Sequence, residues 1–181
     1  MVPTNDGQCL VFAGRPTALR QQFTDNPDDE FLRLINQGGS DLAVLVEQGT
    51  RVSGYRGTSG LAGFIRRAWG RGWALVGDAG YTKDPISAHG ISDALRDAEL
   101  CARAIDRAIC EPDRGPEALL WYESLRDSLS IRMFVESQAL ASFEWSPVEA
   151  SARMRVVSSE VRVECEKLLS LPEWAPMLVA S

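Results

Sequence analysis

The chain has 181 residues, enough for one domain with a buried core and too few for two full ones. Its 45% hydrophobic and 24% charged residues are ordinary for a globular chain. Nineteen basic residues against 25 acidic ones leave a formal charge of −6, which argues against a general nucleic-acid binder, since that needs a basic face to meet phosphates. No apolar run approaches the roughly 18 residues of a membrane span.

Four cysteines, Cys9, Cys101, Cys110 and Cys165, form no CxxC pair, and His89 is the only histidine. A zinc site needs a cluster of such donors, so no metal is expected. No basic start followed by an apolar run marks a secretory leader. Free thiols in a cytoplasmic protein are the resulting expectation. Arg15, Arg20, Arg66, Arg67 and Arg71 lack close acidic neighbours in sequence, and solvated guanidinium groups on partly covered stems account for them.

Asn5-Asp6-Gly7, between Met1-Val2-Pro3-Thr4 and the apolar run 8–14, predicts a β-hairpin whose first strand is so short that its beginning looks missing. Helical patterns cover 17–24 and 27–37. Pro27 in a first turn, with Asp28, Asp29 and Glu30 behind it, suits the positive N-terminus of the second. Gly38-Gly39 stops that helix, 41–48 is one more, and the alternation of 51–57 predicts a strand.

Gly70-Arg71-Gly72 is a turn before a compact apolar strand over 73–77, which ends at Asp78. A loop containing Asp84-Pro85 then runs to His89. From Gly90 a helix reaches about Ile109, with Ile91, Ala94, Leu95, Ala98, Ala102, Ile105 and Ile109 on one face, the pattern of a helix packed on a core. Glu99 and Arg103 sit four apart on the other side, in the favourable order. Pro116 starts a long helix to about Phe143, and Ser146-Pro147 restarts another to about Leu169. Pro172 and Pro176 bound a short tail.

A strand ending in Gly-Asp, a loop, and a helix opening on glycine make a sensible cofactor site. An aspartate at the carboxyl end of a strand can accept hydrogen bonds from sugar-type hydroxyls. A helix N-terminus offers unpaired amides and positive partial charge, and Gly90 lets a ligand lie close to them. Spacing alone is a weak signal, because strand-to-helix units with an aspartate in the connection are common, and it favours Asp78 as a loop residue or a cap.

The residues themselves say more. Gly72-Trp73-Ala74-Leu75-Val76-Gly77-Asp78-Ala79, then Asp84-Pro85, then Gly90-Ile91-Ser92-Asp93-Ala94-Leu95-Arg96-Asp97-Ala98 resembles the second flavin-binding motif of FAD-dependent monooxygenases of the para-hydroxybenzoate hydroxylase type. Geranylgeranyl reductases and flavin-dependent halogenases are related to that family. Ala88 and Ser92 stand where the family often has glycine and asparagine. The resemblance implies FAD as cofactor, with Asp78 bonding a ribityl hydroxyl, Pro85 bordering the isoalloxazine ring, and the amides of Gly90 and Ile91 meeting its pyrimidine edge. It implies hydroxylation of a small organic substrate with O₂, with NAD(P)H as reductant; the related reductases pass electrons to a double bond instead. Residues 72–98 are its diagnostic part, although the N-terminal hairpin resembles a substrate-domain sheet and the last helices a terminal bundle.

The family's N-terminal Gly-x-Gly-x-x-Gly unit, which wraps the FAD pyrophosphate, has no counterpart here. The chain is therefore expected to be a C-terminal portion: a fragment, a truncated gene product, or half of a split enzyme completed by a Rossmann-bearing partner chain. Inactivity in isolation follows. A non-catalytic remnant or interaction module is the alternative.

Among other candidates, His89 could exchange protons near a flavin or be an ordinary loop histidine. Lys83 could pair with an anionic substrate or cofactor group, but a solvated lysine is the expectation. Phe64, Trp69 and Trp73 could line a substrate cavity or belong to the core. Trp121, Tyr122, Phe134, Phe143 and Trp145 pack helices. Asp93 and Asp97 suit a first turn through charge alone. The expected class is α+β: a partial sheet with helices over 1–70, the strand–loop–helix motif over 71–111, and a helical region over 112–181.

Overall fold

The computed structural model describes residues 1–58 and 62–174, so the end of the tail, with Pro176, lies outside the described residues. The chain divides into two compact units, residues 1–60 and 61–181. Among the described residues helices predominate, accompanied by three two-stranded antiparallel sheets, so a coarse α+β description holds. No helix among the described residues is long and apolar enough to cross a membrane.

In the first unit, β1 (Val2–Pro3) pairs with β2 (Cys9–Leu10), Val2 opposite Leu10. Asp6 and Gly7 between them both take left-handed backbone, as the Asn-Asp-Gly sequence demands of a tight turn. Three helices follow: α1 (Arg20–Asp25), α2 (Pro27–Gly38) and α3 (Ser40–Gln48). Asn26 caps α2 by accepting from the Asp29 amide, with Pro27 in the first turn.

Two expectations fail in this unit. Residues 51–58 form no strand: Arg51 and Tyr55 are drawn by their side chains to Asp28 on α2, at 3.0 and 2.9 Å, and Tyr55 packs on Phe23 and Phe31. Nor is Arg15 a solvated cation. Its side chain is mostly covered and paired with Glu30, an acid distant in sequence.

In the second unit, β3 (Phe64–Ile65) pairs with β6 (Tyr81–Thr82), and β4 (Trp69–Gly70) with β5 (Trp73–Ala74). The strand expected over 73–77 is shorter because Gly77 turns left-handed at φ 53° and leads into a 3₁₀ turn, Gly77–Ala79. Three long helices complete the unit: α4 (Gly90–Cys110), α5 (Gly115–Ala141) and α6 (Pro147–Leu169). Their ends lie close to the punctuation read from the sequence. Ser146 and Glu149 form a capping box at the start of α6, and Phe143, left-handed at φ 58°, turns the chain between α5 and α6.

Ala68, Leu100, Cys101, Ala104, Ala118 and Tyr122 form one buried cluster, and Met133, Leu140 and Val157 another. The expected packing face of α4 is reversed. Ile91, Leu95, Ala98, Ile105 and Ile109 are exposed, while Asp93, Arg96, Asp97, Leu100, Cys101 and Ala104 are buried. Charge inside is tolerable only when it is paired; Asp93, Arg96 and Asp97 pair with one another on α4, and Lys83 and Glu164 complete the set from outside it. Trp121 is likewise exposed rather than packed.

Candidate functional site

The strand–loop–helix segment folds as one connected piece. The Gly77 amide donates to Asp97 Oδ2 at 3.2 Å, and a Cβ at position 77 would stand 3.0 Å from the Ala94 methyl. The end of the strand is thereby pinned against α4, one turn in from its start. Asp78 comes next and is exposed, with its charge acting on Lys83. The Asp84 carboxylate accepts from the Ile86 amide at 3.0 Å and caps the 3₁₀ turn opened by Pro85, itself exposed.

The chain then enters α4 through Ala88, a non-glycine residue held left-handed at φ 52°. That backbone costs an L-residue about 1–2 kcal/mol relative to the right-handed form. His89, at the N-cap, gives no capping side-chain bond, and the Asp93 amide makes the first turn's bond, to the His89 carbonyl at 3.0 Å. The amides of Gly90 and Ile91 therefore have no acceptor within the helix. Both residues are exposed, and a Cβ at Gly90 would meet nothing within 4 Å. The four residues singled out from sequence, Asp78, Pro85, Gly90 and Ile91, thus all face solvent on one strand–loop–helix.

Beneath this surface lies a buried charge network. Arg96 spends all five of its N–H groups: Nε and Nη2 on Asp97 Oδ1 at 3.0 and 2.8 Å, Nη1 on Asp93 Oδ1 at 3.0 Å and Glu164 Oε2 at 2.9 Å, and Nη2 also on Ser130 Oγ at 2.9 Å. Lys83 pairs with the other Asp93 oxygen and lies 4.7 Å from the centre of the Tyr81 ring. Burial pushes the Lys83 ammonium down to about 8, and the Arg96 charge pushes the same way. The negative charges of Glu164, Asp78 and Asp97 oppose both. Burial also raises Asp97, against the pull of Arg96. At Glu164 burial acts upward too, but contact with His89 and the Arg96 charge outweigh it and hold the carboxyl below its usual value.

Two earlier expectations are corrected here. Lys83 is a buried ion-pair partner rather than a solvated lysine, and Asp93 and Asp97 are anchors of a buried network rather than first-turn ornaments. Arg96 and Glu164 were not foreseen at all. The available signal was three charges packed into Asp93–Asp97 on a helix whose opposite face is apolar. Glu164, 68 residues further on, gave none.

His89, Asp93 and Glu164 each bring a donor atom within 4.8 Å of the others, a spacing that could hold a cation. Arg96 and Lys83 already take both Asp93 oxygens and one of Glu164. What is left is Glu164 Oε1 and His89 Nε2, 3.4 Å apart without an aligned hydrogen bond.

Comparison with known proteins adds no relative: no protein-family model, no curated protein and no solved structure matches the chain.

Proposed function

We propose that this chain is the flavin-ring end of a cytoplasmic FAD-dependent oxidoreductase, a monooxygenase that hydroxylates a small organic substrate with NAD(P)H as reductant. The observation that carries the reading is the mouth of α4: uncapped amides at Gly90 and Ile91, open space above Gly90, and a left-handed Ala88 leading in. These residues fit the group. Asp78 would accept from a ribityl hydroxyl, Pro85 would border the isoalloxazine ring, and the Gly90 and Ile91 amides would donate to its pyrimidine edge. When bound, the flavin supplies redox and oxygen chemistry that no side chain here provides. The partial positive charge of the α4 N-terminus favours negative charge on a reduced ring, an electrostatic task that needs no acid.

The sequence contains no Gly-x-Gly-x-x-Gly, so the adenosine and pyrophosphate would be held by a Rossmann-bearing partner chain. This makes a quantitative test possible. The isolated chain should quench the fluorescence of riboflavin and FAD with similar, weak affinity, because both present the same ring and ribityl chain to it. Asp78→Ala, which removes a hydrogen bond to a charged group worth roughly 1.5 kcal/mol or more, and Gly90→Val, which puts a branched side chain into the open space above the amides, should each weaken both ligands about tenfold. Failure of either flavin to bind, or binding untouched by both variants, refutes the site. FAD binding far tighter than riboflavin refutes the missing cradle.

A second reading, a non-catalytic interaction module that keeps the strand–loop–helix as scaffold, draws on a specific fact. Lys83, Asp93 and Arg96 are spent on one another and on Glu164, leaving His89 as the one titratable side chain at the α4 mouth not engaged in an aligned bond among the described residues.

A further inference from the structure

Helix α4 is buried on its charged side, against α5 and the network around Arg96, and bare on its apolar side. Ile91 is 82% exposed, Leu95 69%, Ile105 39% and Ile109 56%, with Ala98 exposed and Ala102 half-buried between them. An apolar stripe of this length is not a scatter of surface residues and calls for a partner.

The order of residues along the stripe says which partner. The steps from Ile91 through Leu95, Ala98, Ala102 and Ile105 to Ile109 alternate four and three, the repeat of a helix–helix seam. The stripe also reads alike from either end: large, large, small, small, large, large. A two-fold interface must be self-complementary, each residue meeting its counterpart across the axis. Run against a second copy in the opposite direction, Ile91 faces Ile109, Leu95 faces Ile105, and Ala98 faces Ala102. The alanines fall at the axis, where their small side chains let the backbones approach, and the opposed helix dipoles attract. We propose that two copies of this chain associate through α4 in this antiparallel arrangement.

The area fits a modest complex. A helix of 21 residues is about 31 Å long and about 10 Å wide, so two such faces cover roughly 600 Å², below a standard interface and in keeping with a weak, transient pair. A dimer dissociating in the micromolar range is expected. Ile91 belongs to both proposals, by its amide in one and its side chain in the other, and sedimentation separates them because it reads molecular mass alone.

Sedimentation of the full chain from about 1 to 100 µM should show a monomer becoming a dimer, and Leu95→Glu and Ile105→Glu should each weaken association at least tenfold. Circular dichroism on the same samples checks that α4 stays folded, which its exposed positions permit. Orientation is read with Ala98→Cys and Ala102→Cys, in chains whose exposed Cys9, Cys110 and Cys165 are replaced by serine. A mixture of the two should form the crossed disulfide faster than either alone. A chain that stays monomeric at 100 µM overturns the proposal and leaves the stripe to a different protein. A dimer indifferent to both glutamates, or one in which Ala98→Cys chains cross-link best with themselves, overturns it as well.

Discussion

Replacing Arg96 with methionine would strand three carboxylates at once. The guanidinium is almost wholly buried and bonds Asp93, Asp97 and Glu164 within 3.0 Å. Breaking one buried pair by removing a partner costs about 3–5 kcal/mol. The loss should not triple, because Lys83 still holds Asp93 and the Gly77 amide still donates to Asp97. A cost of about 4 kcal/mol is expected, a large share of the 5–15 kcal/mol that holds an ordinary domain. At roughly 3–4 °C per kcal/mol for a unit of this size, the melting temperature should fall by about 12–16 °C.

Urea unfolding followed by tryptophan fluorescence and circular dichroism would measure the change. Acid gives a further signature. The stranded carboxylates of the variant take up protons more readily folded than unfolded, so its deficit against the wild type should shrink as pH falls below about 5. A loss under about 1 kcal/mol, or a deficit that does not narrow in acid, would refute the view that Arg96 neutralises a buried acidic cluster.

Other expectations follow from single positions. Gly77→Ala puts a methyl 3.0 Å from Ala94 at a left-handed φ of 53°, and should cost about 1–3 kcal/mol in a thermal melt. Ala88→Gly relieves left-handed strain and should stabilise by a few tenths to about 1 kcal/mol, part of the relief being lost to a freer unfolded chain. Glu164, held below its usual value, contributes stability that is complete above the unfolded carboxylate range and is lost as pH falls through its lower folded value. Glu164→Gln should therefore flatten the acid limb of the stability profile, as pH-dependent denaturation would show.

The sequence was most legible where local chemistry decides the outcome. Asn5-Asp6-Gly7 made its turn, and Pro27, Gly38-Gly39 and Ser146-Pro147 punctuated helices close to where they stand. What failed depended on partners distant in the chain. The alternation over 51–57 resembled a strand, but a strand needs a neighbour, and Asp28 claims its side chains instead. The apolar stripe of α4 resembled a core face, but Glu164 and Ser130 lie on the other side and accept the charges of Arg96 there. The exposed loop and helix mouth were readable because glycine and proline mark them; the network beneath could not be assembled without α5 and α6.

The central claim is that a flavin ring rests on the mouth of α4, and backbone amide shifts test it most directly. Titrating riboflavin into the isotopically labelled full chain should move the Gly90 and Ile91 resonances first and furthest, with Asp78 following. Shifts confined to other helices, or none at flavin concentrations well above the protein's, would contradict it.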